Sequence, residues 1–205
     1  MKQIVLATRN YDKVREFREL LRDIPVRILS YDDFPNFPET AVIEDGNTFA
    51  QNALKKARAV CAITGKIALA DDSGLEVDAL DGAPGIYSSR YAGVEGDARR
   101  NIARLLKELE ELPWEQRGAQ FRCVIALVTP SGKEMVVEGI CRGRITEAAR
   151  GNGGFGYDPV FLDEDSGLTF AEMSAELKNK ISHRGRAMQE LKKILPEFLS
   201  MTPYP

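Results

Sequence analysis

The sequence predicts an α/β fold in which a mixed sheet is flanked by helices, spanning residues 1–205 as a single domain. Three observations carry this. Short apolar runs beginning at Ile4, Val26 and Ile67 alternate with helical patterns, the signature of strands joined through helices. Further on, Phe121, Cys123, Ile125 and Leu127 fall on one face of an alternating run. A Pro130–Lys133 turn and a returning segment from Met135 to Cys141 follow, which makes an antiparallel hairpin and a sheet that is not purely parallel. Finally, 205 residues with 43% hydrophobic content suffice for one substantial core.

The elements follow in order. Ile4–Thr8 reads as the first strand. Asn10 caps a helix whose apolar stripe is Val14, Phe17, Leu20 and Leu21. Val26 and Ile28 mark a second strand, and Pro35–Pro38 a loop. Thr48 and Gln51 form a capping-box pattern ahead of a helix with Phe49, Ala53, Ala57 and Val60 on its apolar face, closed by Gly65. The strand from Ile67 ends at Asp71 and Asp72, and a separate short strand is expected around Leu75–Leu80. A Gly/Pro-rich loop spans Asp81–Gly96, and a helix runs from Asp97 to about Leu112. Arg150–Pro159 holds too many glycines for a regular element. Ser182 caps a final helix through Met188, Leu191, Ile194 and Leu195, which Pro196 is expected to disturb.

Composition excludes several classes. The apolar run Cys123–Val128 is too short to span a bilayer, so no membrane partner is expected. With no signal-peptide pattern at the N-terminus, a cytoplasmic protein is expected. A net charge of −3 argues against a nucleic-acid polymer as partner. The three cysteines, Cys61, Cys123 and Cys141, lack CxxC spacing and read as small core residues.

Four segments hold candidate chemistry. Asp71 and Asp72, adjacent at an apparent strand end, are costly to bury unless a cation compensates them; with Glu44 they suit oxygen-preferring Mg²⁺. The competing reading is a solvated, capped turn, with Glu44 and Asp45 a solvated acidic pair. Thr8-Arg9-Asn10-Tyr11-Asp12-Lys13 runs from a strand into a helix N-terminus, where an anion is favoured, although an ordinary capped helix explains it equally. In Phe155-Gly156-Tyr157-Asp158-Pro159, glycine beside an aromatic lets a flat ligand approach and Asp158 offers an acceptor; a core-covering turn is the alternative. Lys178, His183 and Arg184 form a donor cluster suited to an oxygen-rich ligand, and His183, the lone histidine, could equally be structural.

These segments give the chain a resemblance to the inosine triphosphate pyrophosphatase family. LATRNYDK (Leu6–Lys13), TFAQNALKKA (Thr48–Ala57), ADDSGLEVDAL (Ala70–Leu80), GAPGIYSSRYAG (Gly82–Gly93), GGFGYDP (Gly153–Pro159) and ISHRGRA (Ile181–Ala187) occur in the family's order. Gln51 stands where the family commonly has glutamate. The resemblance implies two lobes around a cleft, a homodimer, and Mg²⁺-dependent hydrolysis of non-canonical purine nucleoside triphosphates (ITP, dITP, XTP) to the monophosphate and pyrophosphate. It further implies that Thr8, Arg9, Asn10 and Lys13 hold the phosphates, and that Glu44 and Asp72 bind metal. Asp72 would be the base with Asp71 in support, and Ser73 would touch substrate. Phe155, Gly156, Tyr157 and Asp158 would form the purine pocket, with Lys178, His183 and Arg184 reading the base.

Overall fold

A computed structural model describes residues 2–34, 37–38, 42 and 44–200. The chain divides into two compact units, one comprising Met1–Asp72, Cys123–Gly139 and Ala187–Pro205, the other Ser73–Arg122 and Ile140–Arg186. The strands belong to a seven-stranded sheet of order β2-β1-β3-β4-β5-β6-β7, so the expected mixed α/β architecture is observed.

In the first unit, β1 (Lys2–Leu6) pairs in parallel with β2 (Val26–Leu29), Ile4 opposite Ile28, and with β3 (Ile67–Val77), Ile4 opposite Ile67. Helix α1 (Tyr11–Leu20) is capped by Asn10, whose side chain accepts from the Asp12 and Lys13 N–H groups. Helix α2 (Phe49–Thr64) starts at Thr48 and ends at Gly65 in the left-handed region, a conformation that favours glycine. The core packs Ile4, Leu6, Phe17, Leu21, Ile67 and Leu69 against Ile125, Leu127, Leu191 and Leu195.

The second unit has its own core, built on Leu75, Val77, Leu105, Leu109, Phe121, Ile145, Phe161 and Phe170. Helix α3 (Ala98–Glu108) stops before the expected Leu112. The buried Arg117 guanidinium donates to Leu109 O at 2.6 Å and Leu112 O at 3.1 Å, satisfying carbonyls just past the helix end that Pro113, with no N–H, does not serve. Strands β4 (Gly118–Val128) and β5 (Glu134–Ile145) flank a turn in which Thr129 N donates to Lys133 O, as the hairpin reading expected. Antiparallel strands β6 (Phe161–Asp163) and β7 (Leu168–Thr169) and helix α4 (Ala175–Ile181) had no sequence expectation.

Three further expectations are corrected. β3 runs unbroken through Asp71 and Asp72 to Val77, so the carboxylates lie mid-strand, and Asp78–Leu80 is a 3₁₀ turn rather than a strand. A lysine faces each aspartate, as described below, which lowers the cost of carrying the strand through them. Helix α5 (His183–Ser200) passes through Pro196. Buried Leu195 and Phe198 on its core face outweigh the hydrogen bond that proline deletes. Thirdly, β1 ends at Leu6, short of Thr8. Pro35 and Asn36 of the expected loop lie outside the described residues, while Phe37 and Pro38 are in no regular element. All three cysteines are free and buried, and no described helix is long and apolar enough to cross a membrane.

Candidate active site

In the first unit the acidic and basic side chains assemble around β3. Lys13, in the first turn of α1, places its Nζ 2.9 Å from Oδ2 of the buried Asp71. Lys56 of α2 places its Nζ 3.2 Å from Glu44 Oε2 and 3.2 Å from Asp72 Oδ1. One ammonium therefore holds together two carboxylates that are 28 residues apart in the chain (72 − 44). Asp72 is only 7% exposed, and its Oδ2 has no hydrogen-bond partner among the described residues. Burial pushes its carboxyl up to about 6; Lys56 and Lys13 oppose that rise and Glu44 adds to it. Burial by itself would lower the Lys56 ammonium, but Asp72, Glu44 and Asp71 together hold it above the ordinary lysine value.

The phosphate-side residues proposed from sequence are partly engaged with the backbone. Thr8 Oγ1 accepts from Asn10 N at 3.1 Å, and Asn10 Oδ1 accepts from Asp12 N and Lys13 N at 2.9 and 3.2 Å. The Thr8 hydroxyl hydrogen and Asn10 Nδ2 are their remaining donors. Arg9 donates to Pro38 O at 2.7 Å and lies over the Tyr31 ring.

In the second unit a different set converges. Lys178 Nζ is 2.6 Å from Asp158 Oδ2, both side chains buried, and the same oxygen accepts from Phe155 N at 2.8 Å. Asp158 is thus the counter-ion of Lys178 and the brace of its own loop. A Cβ on Gly154 would come within 2.0 Å of Asp158 Oδ2, so that brace requires glycine. The Phe155 ring has Lys178 Nζ at 4.8 Å and the Arg184 guanidinium at 5.6 Å, cation–π distances. Arg184, itself buried, donates to Ser73 Oγ at 3.0 Å. Tyr157 O–H donates to Ser88 O at 2.9 Å, fixing the loop to the GAPGIYSSRYAG segment, and Gly156 sits at φ 62. The buried His183 ring stacks on Phe121 with centroids 4.6 Å apart and planes 15° from parallel. Gly185 lets α5 start against α4: a Cβ there would lie 2.0 Å from Asn179 O.

Sequence reasoning missed Lys56. A signal existed, because Lys56 follows Phe49 by seven and Asn52 by four, which is the buried stripe of α2, where an unpaired lysine would be costly. It also missed Ser88 and Phe121, which meet the site residues Tyr157 and His183 from segments remote in the chain. Gln51, standing in place of the family's glutamate, accepts from Asn47 N at 2.8 Å through Oε1.

Among the described residues no group of three or more His, Cys, Asp or Glu side chains is arranged to hold a metal. The donor set nonetheless fits Mg²⁺, which usually takes one or two carboxylates and fills the rest of its shell with water and substrate phosphate. Glu44 and Asp72 converge on the Lys56 ammonium, and Asp72 Oδ2 is a buried oxygen with no hydrogen-bond partner among the described residues.

These features define an α/β protein with a mixed sheet whose buried charges gather on β3 in one unit and on the Phe155 loop and the α4–α5 junction in the other. The chain belongs to the Ham1 family, whose model matches residues 4–194. It is 54% identical over 192 residues to a protein of Geobacter sulfurreducens named dITP/XTP pyrophosphatase, covering 94% of this chain and 96% of that one. A protein of the same name from Desulforamulus reducens is 52% identical, covering 94% and 95%. Among solved structures, a HAM1 protein from Coxiella burnetii superposes with a TM-score of 0.86 at 42% identity, covering 96% of this chain and 100% of that chain.

Proposed function

We propose that the chain is a nucleoside triphosphate pyrophosphohydrolase that uses Mg²⁺ to convert dITP, ITP and XTP to the monophosphate and pyrophosphate. The observation that carries this is Asp72, a buried carboxylate sharing a cation with Glu44, with one oxygen unpartnered and a carboxyl raised toward neutrality. The names of the relatives support the substrate class.

Mg²⁺ held by Glu44 and Asp72 would supply charge neutralisation at the polyphosphate and acidify a water. The remaining work falls to side chains. Lys13, Thr8 and Asn10 bind phosphate oxygens at the start of α1, with Arg9 beside them, and Asp71 holds Lys13 in place. Asp72 takes the proton as the water oxygen bonds to the α-phosphorus; the bond to the α–β bridging oxygen breaks and pyrophosphate leaves.

On the base side, Lys178, His183 and Arg184 offer donors, Phe155 a stacking face, and Gly156, Tyr157 and Asp158 hold that face in position. Hypoxanthine and xanthine carry a 6-oxo acceptor, whereas adenine carries a donor that would leave buried donors unpaired. A site built for one partner can reject such an analogue by roughly 10⁴-fold. A homodimer in the cytoplasm belongs to the same reading and rests on the family resemblance.

The experiment is a product assay on the purified protein with ITP, XTP, dITP, GTP and ATP, scoring pyrophosphate and orthophosphate separately, with an EDTA control. Metal-dependent pyrophosphate from the non-canonical substrates is expected. Orthophosphate as first product, or binding without turnover, would replace this reading with a different phosphohydrolase or a nucleotide sensor.

A further inference from the structure

Glu44 lies in no regular element, yet the chain just after it is tied to α2 at successive points. Gly46 N donates to Asn52 Oδ1 at 2.8 Å, and Asn47 N donates to Gln51 Oε1 at 2.8 Å. The approach at Gly46 is close enough that an added Cβ would sit 2.6 Å from Asn52 Oδ1 and 2.9 Å from Gln51 Cβ. One turn beyond Asn52 on the same helix is Lys56, whose ammonium meets the Glu44 carboxylate itself. Helix α2 therefore grips this segment by two backbone N–H groups, at Asn52 and Gln51, and by two carboxylates, Glu44 at Lys56 and Asp45 at Lys55.

Asn52 is a poor choice for stability alone. It is 0% exposed, and its Nδ2 has no hydrogen-bond partner among the described residues. An unsatisfied buried donor is costly, a penalty an apolar side chain of similar volume would avoid. What the amide provides is the acceptor that fixes Gly46, two residues from Glu44.

We infer that Asn52 is a positioning residue for cation binding: by holding the Gly46 N–H it keeps the Glu44 carboxylate opposite Asp72. The inference rests on the proposed reading of Glu44 and Asp72 as the metal-holding pair. Side chains that orient ligands from behind typically matter by 10–100-fold in metal affinity.

The test is Mg²⁺ binding to the nucleotide-free protein by calorimetry, with the metal-free unfolding midpoint measured alongside. Asn52→Ala and Gly46→Ala attack the same hydrogen bond from its two sides. Each is expected to weaken Mg²⁺ binding about 10–100-fold, and the double variant to lose no more than the worse single, because contacting residues couple. Gly46→Ala keeps the test open if Asn52→Ala fails to fold. Unchanged Mg²⁺ affinity in a variant that folds, or additive losses, would overturn the positioning role. Glu44→Gln separates the two levels. If it also leaves Mg²⁺ affinity unchanged, the ligand reading falls and takes this inference with it. If Glu44→Gln weakens binding while Asn52→Ala does not, only the positioning role fails.

Discussion

Lys56 and Lys178 are both buried lysines paired with aspartate, one in each unit, and they are held in different ways. Lys178 meets a single carboxylate at 2.6 Å, and that carboxylate is braced again by Phe155 N. Lys56 is shared between two carboxylates at 3.2 Å each, one of them Glu44 on an irregular segment, and one Asp72 oxygen has no hydrogen-bond partner among the described residues. The Lys178 pair is closed: its charge is matched, and its geometry is set before any ligand arrives. The Lys56 pair is open: one ammonium serves two carboxylates, and burial still raises the Asp72 carboxyl. A closed pair suits selectivity, because a fixed donor discriminates by leaving the wrong partner unpaired. An open pair suits chemistry, in which a further cation, a water and a proton must enter and leave.

The largest effect should follow from altering the open pair. Asp72→Asn removes the proposed base and is expected to lower turnover by about 10²–10⁴-fold, the usual contribution of a positioned base, with the fold retained by circular dichroism. Near-normal turnover would remove Asp72 from that role. Next comes the closed pair, where the loss should appear in stability. Asp158→Asn leaves the Lys178 ammonium buried without its counter-charge, and breaking such a pair costs about 3–5 kcal/mol. Adding Lys178→Met should recover most of that loss in denaturant unfolding. If Asp158→Asn proved mild, the Lys178 pair would not be locked and the contrast between the units would collapse.

A feature is legible in the sequence to the extent that it is local in the chain. Asn10 and Thr48 were readable as caps because a capping side chain bonds N–H groups two or three residues away. Asp71 and Asp72 drew notice as adjacent carboxylates after an apolar run, and the family resemblance ordered the remaining segments. The end of β3 was misread because two aspartates in sequence resemble a turn; only the lysines from α1 and α2 make a continuous strand affordable there. Lys56 went unnoticed beside Lys55, although Lys55 pairs with exposed Asp45 and Lys56 turns inward. The bond from Tyr157 to Ser88, 69 residues apart, has no local signature at all.

The smallest effect is a pH dependence that belongs to the open pair alone. An aspartate has an unperturbed value of about 3.9, and burial raises the Asp72 carboxyl in the fold to about 6. Between these values the native state holds a proton that the unfolded chain has released. Stability of the metal-free protein from this group is therefore greatest below about pH 4, and it falls as pH rises through the interval to about 6. The loss is bounded at about 3 kcal/mol, from roughly two units at 1.36 kcal/mol each. Other carboxylates titrate in the same range with the opposite sign, so the quantity to measure is the difference between the wild-type protein and Asp72→Asn. Urea unfolding in EDTA at pH 4.5, 5.5, 6.5 and 7.5 should show Asp72→Asn gaining relative stability as pH rises, then holding level. Mg²⁺ at pH 7.5 should narrow the gap, because it satisfies a charge that only the wild-type protein carries. Parallel pH profiles for the two proteins would mean that Lys56 and Lys13 already balance Asp72, and the open pair would be closed after all.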